Sequence, residues 1–227
     1  MTIPEAGRKA AVVEAMFDRI APRYDLMNRL MTFGMDRTWR REAVRALALP
    51  PGARALDLAC GTGDFCADLA SLGVRVVGVD FSAAMLRVAA LRRDRFALVR
   101  ADALGLPLRS ESFDAVVSGF ALRNFANLED SFRESLRVLK TGGKIALLEV
   151  DTPASSWLRF GHRVYFHKLV PLIGRLVDRE AYSYLPESTF YLPGEAALMA
   201  MLAGAGFRNL NKRRLLGGAV QLLTGCR

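Results

Sequence analysis

The sequence predicts an α/β chain built on a doubly wound, mostly parallel sheet, and three observations lead there. Residues 53–58, 74–79, 96–99, 115–118 and 144–149 are short apolar runs rich in Val, Leu and Ile, each parted from the next by a stretch able to hold a helix or a long turn. Strands buried on both faces read this way. The first run passes through Cys60-Gly61-Thr62-Gly63 into a helix-like segment, and the second ends on Asp80. A glycine-bearing strand-to-helix turn, followed about 20 residues later by an acid, marks the ligand-binding edge of such sheets.

Ahead of the sheet, Val12, Val13, Met16, Phe17 and Ile20 recur at helical spacing, and Pro22 should end that helix close to Tyr24 and Asp25; Asp25 reads also as the cap of a following helix. A second helix is expected over about residues 38–49, stopped by Pro50-Pro51-Gly52. Beyond Val150 the alternation lapses up to residue 192, and Trp157, Phe160, Tyr165, Phe166, Tyr182, Tyr184, Phe190 and Tyr191 crowd that interval. Helical texture returns over about 194–205, followed by Gly206, a strand beginning at Phe207 and a last strand over 219–224. Neither an internal repeat nor a low-complexity linker interrupts the chain. The expected division is one domain over 1–227, with an N-terminal helical cap (1–52), a core (53–150), an inserted lid (151–192), and a closing helix and strands (193–227).

The 227 residues, 52% of them hydrophobic, suffice for a packed core. No run reaches the roughly 20 apolar residues that cross a bilayer, and charges occupy the N-terminus where a signal peptide would be apolar, so a cytoplasmic protein is expected. Three cysteines (Cys60, Cys66, Cys226) and two histidines (His162, His167) are too few and too scattered for a disulfide framework or a structural metal. The net charge of +9 is uneven: from Pro153 onward, 10 Lys and Arg face 4 Asp and Glu, and residues 37–45 add a basic helical face. An Arg-rich solvated surface explains this, as does attraction to anionic lipid headgroups.

Gly61 and Gly63 allow close approach of the backbone to a ligand, and the following helix offers free N–H groups to a carboxylate or phosphate. A dinucleotide fingerprint would place a third glycine where Cys66 stands, which argues against a pyrophosphate and a nicotinamide oxidoreductase. Asp80 can accept both ribose hydroxyls of a bound nucleoside, and Asp102, at the exit of the third strand, can accept an adenine amino group. Alone, each carboxylate reads equally well as a helix cap or a solvated turn. In series with the fourth strand (residues 112–120), they resemble the class I methyltransferases over residues 53–149.

A narrower resemblance rests on Tyr24-Asp25-Leu26-Met27-Asn28 with Gly34 and Trp39, on Leu122-Arg123-Asn124, and on Arg137-Val138-Leu139-Lys140-Thr141-Gly142-Gly143-Lys144 leading to Leu148-Glu149. Tyr165-Phe166-His167-Lys168-Leu169-Val170-Pro171 with Gly174, and Tyr184-Leu185-Pro186-Glu187-Ser188, extend it over nearly the whole chain. The pattern is similar to the UbiE/MenG family of demethylmenaquinone and ubiquinone-precursor C-methyltransferases. The chain departs from the family at Thr32 (commonly Ser), Asp36 (His), Gly119 (Ser), Thr141 (Pro) and Asp151 (Ser).

That resemblance implies a class I Rossmann-like sheet of seven strands with the last antiparallel, and S-adenosyl-L-methionine as the methyl donor with no metal. It implies C-methylation of a polyprenylated quinol, demethylmenaquinol to menaquinol, with ubiquinone precursors or another phenolic or isoprenoid molecule as the alternative. The implied cofactor contacts are Asp57, Gly61, Thr62, Gly63, Asp80, Phe81, Met85, Asp102, Ala103 and Gly119. Since the donor methyl is already activated, the protein must align, exclude water and steady a phenolate. Arg123 and Asn124 are the first candidates, with Tyr24 and His167 behind them; His162 and His167 read equally as packed aromatic-segment residues, and Arg123 as a loop cap or ion-pair partner. Arg123 is a poor base, its guanidinium being always protonated. Expected partners are the membrane-derived prenylated quinol, an anionic membrane surface touched peripherally, and a second copy in a homodimer. Nucleic acid is not expected, because Arg123-Asn124-Phe125 stands where an Asn/Asp-Pro-Pro-aromatic motif would follow the fourth strand.

Overall fold

The computed structural model describes residues 6–92, 95–153, 155–165 and 192–227. Five strands, β1 (Arg54–Leu58), β2 (Arg75–Asp80), β3 (Ala97–Arg100), β4 (Phe113–Gly119) and β5 (Leu139–Val150), run parallel. The last two are β6 (Arg208–Leu215) and β7 (Val220–Cys226), and β7 is antiparallel to both β5 and β6. The sheet order is β3-β2-β1-β4-β5-β7-β6, so the chain starts in the middle, winds outward to β3 and crosses back to β4. That reversal between β1 and β4 opens a crevice at the carboxyl ends of the strands, where sheets of this kind bind ligands.

All seven expected strands are present, and the last is the reversed one. β5 begins earlier than its apolar run because Thr141-Gly142-Gly143 bulges out of the ladder, the register moving from Phe113↔Leu139 to Ala115↔Lys144. Helices α4 (Asp64–Ala70), α5 (Ala83–Ala90), α6 (Leu128–Val138), α7 (Ser156–Val164) and α8 (Glu195–Ala205) connect and flank the strands. One face of the sheet packs Ala55, Val76, Ala115, Val117 and Leu148 against Phe65, Leu69, Trp39 and Val44. The other packs Leu56, Val116, Ile145 and Leu147 against Phe132, Leu198 and Leu202. Alternate residues of one strand thus face opposite cores, the two-sided burial that made each strand a continuous apolar run.

The N-terminal region corrects the sequence reading. Helix α1 (Ala6–Ile20) does stop before Pro22, but a 3-10 turn (Ala21–Arg23) then leads into a separate helix, α2 (Tyr24–Thr32). Tyr24 and Asp25 therefore open a second helix rather than ending the first. Asp25 lies in the first turn of α2, where the helix dipole favours a carboxylate. Helix α3 (Asp36–Leu47) starts and ends slightly earlier than expected, because Ala48 already takes a left-handed conformation (φ 48°) ahead of Pro50-Pro51. A small core of Met16, Ile20, Ala21, Met27, Ala84 and Met85 packs α1 and α2 on α5. No helix among the described residues is long and apolar enough to cross a membrane.

Candidate active site

The carboxyl ends of β1, β2 and β4 form one rim. After β1, Ala59, Gly61 and Gly63 all take left-handed conformations (φ 58°, 53° and 84°), which folds the backbone back on itself. Cys60 N–H donates to the Val79 carbonyl at 2.9 Å, and Gly63 N–H to the Cys60 carbonyl at 2.9 Å. Asp80 completes the turn: its Oδ2 accepts Gly61 N–H at 2.7 Å and its Oδ1 accepts Ser82 N–H at 2.8 Å. Each oxygen keeps a second lone pair for a ligand hydroxyl. A Cβ at Gly61 would meet nothing within 4 Å, so its open side faces free space. Burial pushes the Asp80 carboxyl above its ordinary range, against the pull of the backbone N–H groups.

Asp57 sits one layer beneath. It is buried in β1 and accepts Cys66 N–H at 3.1 Å and the Cys66 thiol at 3.2 Å. The Cys66 N–H is one of the donors that the first turn of α4 leaves unpaired. Asp57 therefore anchors the helix start from below the glycine turn, and burial pushes its carboxyl up to about 7.

The N-terminal helices are fastened over this rim by charge. Thr62 Oγ1 donates to Asp25 Oδ1 of α2 at 2.5 Å. Arg92 donates to the Thr62 carbonyl at 2.6 Å, and pairs with Asp64 and, at 3.5 Å, with Asp25. On the α5 side, Asp18 accepts Ser82 Oγ at 2.5 Å and Ala84 N–H at 3.2 Å, while Glu14 pairs with Arg100 at 2.8 Å. The result is a cleft whose floor is Leu58, Ala59, Gly61, Val79 and Asp80 and whose cover is Val13, Glu14, Phe17 and Tyr24. Phe81, Ser82, Met85, Ala101, Asp102 and Ala103 line one end, and Gly119, Phe120, Ala121, Asn124, Phe125 and Ala126 the other. Ala59 and Phe120 both line the cleft with non-glycine left-handed backbones, the kind of strain that collects at functional sites.

At the β4 end, Tyr24 and Asn124 are the polar residues of an otherwise apolar wall. Burial raises the Tyr24 hydroxyl to about 12, with Arg123 pulling it down and Asp64, Asp25 and Asp80 pushing it up. The group is therefore a proton-bearing donor at neutral pH. The buried Oδ1 of Asn124 has no hydrogen-bond partner among the described residues, an acceptor left open in a low-dielectric wall. Arg123, also buried, forms an ion pair with the fully buried Glu149 of β5.

Of the residues singled out from sequence, Gly61, Asp80, Phe81, Met85, Asp102, Ala103, Gly119, Tyr24 and Asn124 line the cleft. Asp57, Thr62 and Gly63 lie just behind it and shape the turn. Arg123 is one layer back, its charge held beside the wall by Glu149. His167 lies outside the described residues, as does most of the aromatic interval from Phe166 to Tyr191. The α1 side chains Val13, Glu14 and Phe17 were missed, since their spacing reads only as a core-facing helix. Ser82 was also missed, although a serine just before an apolar helical run is an N-cap signal; it caps α5 by accepting Met85 N–H at 3.1 Å.

Four departures from the family pattern have local explanations. Thr32 Oγ1 donates to buried Asp36 at 2.7 Å, and Asp36 pairs with Arg40 at 2.6 Å. Arg40 reaches on to Asp64 at 3.0 Å and Asp68 at 2.8 Å, so the carboxylate at 36 holds the arginine that joins α3 to α4. A Cβ at Gly119 would sit 2.7 Å from Phe65 Cε2, so the ring fills the space a serine would take. Asp151 pairs with Lys212 at 2.8 Å. Nothing in the structure explains Thr141.

The strand order, the single reversed strand and the glycine turn facing an acid at the end of β2 define the fold of the class I methyltransferases. Solved structures share it: the [4+2]-cyclase SpnF superposes with a TM-score of 0.68 at 18% identity, covering 95% of this chain and 94% of that one. A SAM-dependent methyltransferase of Thermotoga maritima superposes at 0.64 and 21% identity, covering 94% and 98%. Within that class the assignment is narrower: the model of the ubiE/COQ5 methyltransferase family matches residues 5–227, and the chain belongs to this family. A demethylmenaquinone methyltransferase of Roseiflexus castenholzii is 45% identical over 98% of this chain and 96% of its own length. The ubiquinone/menaquinone biosynthesis C-methyltransferase UbiE of Syntrophotalea carbinolica is 43% identical over 93% and 92%. A demethylmenaquinone methyltransferase of Thermus thermophilus is 44% identical over 85% and 91%.

Proposed function

We propose that the protein transfers a methyl group from S-adenosyl-L-methionine to a ring carbon of a polyprenylated quinol, converting demethylmenaquinol to menaquinol. The observation that carries this reading is a family match over residues 5–227 enclosing a cleft in which Asp80 and Asp102 stand on one side of the glycine turn and Tyr24 and Asn124 on the other. The cleft fits the cofactor. Gly61 has open space on its free side, Asp80 has lone pairs for two ribose hydroxyls, and Asp102 and Ala103 line the same cleft, the carboxylate being an acceptor suited to an adenine amino group. In this reading Asp57, Thr62 and Gly63 hold the turn in shape, Phe81 and Met85 flank the nucleoside, and Gly119, backed by the Phe65 ring, forms the cleft wall at the end of β4. The cap (1–52), core (53–150), lid (151–192) and closing segment (193–227) divide the labour accordingly.

When bound, the cofactor supplies an electrophilic methyl that needs no further activation. The protein's part is to position the quinol, exclude water and help one hydroxyl lose its proton. Phe17, Phe120, Phe125 and Ala121 give the flat ring a dry wall. A water in the cleft beside Asn124 receives the quinol proton, and the Tyr24 hydroxyl donates to the phenolate left behind. Arg123, fixed by Glu149, adds positive charge next to that phenolate without taking a proton. The quinol is drawn from the membrane, so the enzyme works at the cytoplasmic face and touches anionic lipid through its basic surface.

The test is transfer of labelled methyl to demethylmenaquinol, with ubiquinone precursors in parallel. Turnover of the naphthoquinol in preference to the benzoquinols is expected. S-adenosylhomocysteine should raise the melting temperature and NADH should not. A protein indifferent to S-adenosylhomocysteine at millimolar concentration would sink the reading.

A further inference from the structure

Helix α2 has two faces of opposite kind. Its inner face carries Tyr24 into the cleft and buries Met27 against α1 and α5. Its outer face carries Leu26, Leu30 and, at the C-cap, Phe33, which are 60%, 47% and 69% exposed. At 3.6 residues per turn these three share one stripe, with Arg23 and Arg29 on its two borders. Arg23, Arg29 and the following Arg37 are exposed and make no ion pair with a described residue. Helix α7 repeats the pattern with Trp157, Phe160 and Val164, spaced i, i+3, i+7 and 80%, 61% and 40% exposed. The two stripes join where the Phe33 and Tyr165 rings lie 6.2 Å apart and the Tyr165 hydroxyl donates to the Met31 carbonyl.

Phe33 is the most telling of these residues. Its backbone is left-handed (φ 51°), at a helix C-terminus where Gly or Asn would be relaxed, and a bulky side chain there is strained. The ring is nonetheless turned outward. Neither the core nor local backbone preference accounts for an exposed aromatic at this position, but an external apolar phase does. Two joined apolar stripes, one bordered by arginines and the other carrying a tryptophan, match a bilayer interface, where the rings enter the headgroup boundary and the cations meet phosphate.

We propose that the outer faces of α2 and α7 are the surface by which the protein docks on an anionic phospholipid bilayer. The proposal rests on the quinol reading for the reason a bilayer is visited. The surface continues through α2 to Tyr24, so docking sets the cover of the cleft against the phase that holds a prenylated substrate. The protein's net charge of +9 favours anionic over neutral lipid.

The experiment is sedimentation of the full chain with vesicles of phosphatidylglycerol and phosphatidylcholine, beside vesicles of phosphatidylcholine alone. Binding to the anionic vesicles, weakened by salt, is expected. Leu30→Gln combined with Phe33→Asn should reduce it more than tenfold, with the melting temperature unchanged or raised, since asparagine suits the left-handed position. Arg29→Gln should reduce it about fivefold, the effect of one cation near an anionic leaflet. The proposal is overturned if the wild type stays in solution, or if the double variant binds as tightly as the wild type. It is overturned as well if the wild type is a dimer in sedimentation equilibrium that the same substitutions dissociate, because the surface then belongs to a second copy. The melting shift with S-adenosylhomocysteine is measured on every variant. Its loss in the wild type would remove the methyl-transfer reading while leaving the vesicle result standing.

Discussion

Replacing Asp57 by Asn isolates the charge that the fold hides beneath the glycine turn. Burial, aided by the charges of Asp80 and Asp64 and opposed by the Cys66 thiol and N–H, lifts this carboxyl from 3.8 to about 7. An unfolded chain gives up the Asp57 proton near 3.8, whereas the folded protein holds it until pH approaches 7. The folded state therefore binds the extra proton in between, and stability contributed by this group is full below the lower value and is lost as pH rises through the upper one. Three units at about 1.36 kcal/mol each come to about 4 kcal/mol across the whole range. About 2 to 3 kcal/mol of it falls between pH 5 and pH 7. The asparagine keeps an oxygen for Cys66 N–H but cannot titrate. Thermal melts of both proteins from pH 5 to pH 8 measure the difference. The wild type should lose ground to Asp57→Asn with rising pH by several degrees, since a kcal/mol moves a domain of this size about 2–4 °C. Parallel curves, or a wild type that gains on the variant as pH rises, would refute the reasoning.

Other substitutions test the site and its supports. Tyr24→Phe removes only the hydroxyl, and should lower kcat by about 100-fold with S-adenosylhomocysteine affinity unchanged in calorimetry; an unaltered kcat would remove Tyr24 from the mechanism. Glu149→Gln strips the buried Arg123 of its countercharge and should cost about 3 kcal/mol in urea unfolding. Adding Arg123→Met should recover part of that loss, which independent sites would not do. Gly119→Ser drives its Cβ into Phe65 and should destabilise by about 1–3 kcal/mol. The same change in a Phe65→Leu background should be closer to neutral, and equal costs in both backgrounds would mean that the ring is not what excludes a side chain at position 119.

The strands and the glycine turn at their carboxyl edge were legible because their signals are local. A strand buried on both faces has to be apolar throughout, so the five parallel strands could be read without reference to one another. Gly61, Gly63 and Asp80 were legible for a related reason: a backbone that doubles back needs residues tolerant of a left-handed φ, and an acid ending the next strand faces it. The separate helix α2 was legible only as an alternative, through Asp25 as a cap, since Pro22 signals a stop but not the 3-10 turn that restarts the chain two residues later. Cys66, read as an argument against a pyrophosphate, proves also to be the donor that ties Asp57 to the start of α4.

Sequence alone thus determined the fold class, the succession of the strands and the residues at their ends, all consequences of backbone preference and the period of burial. Tertiary structure alone decided which distant groups meet: Asp25 with Thr62, Arg123 with Glu149, Gly119 with Phe65, and the α1 side chains with the strand ends that line the cleft. These pairings depend on sheet register and on how helices lie across the strands. Such relations are set by packing the whole chain, and no window of neighbouring residues encodes them. The elevated Asp57 and Tyr24 values belong with them, because a carboxyl or a phenol is shifted by the water it loses and the charges brought beside it, and both come with the closed fold.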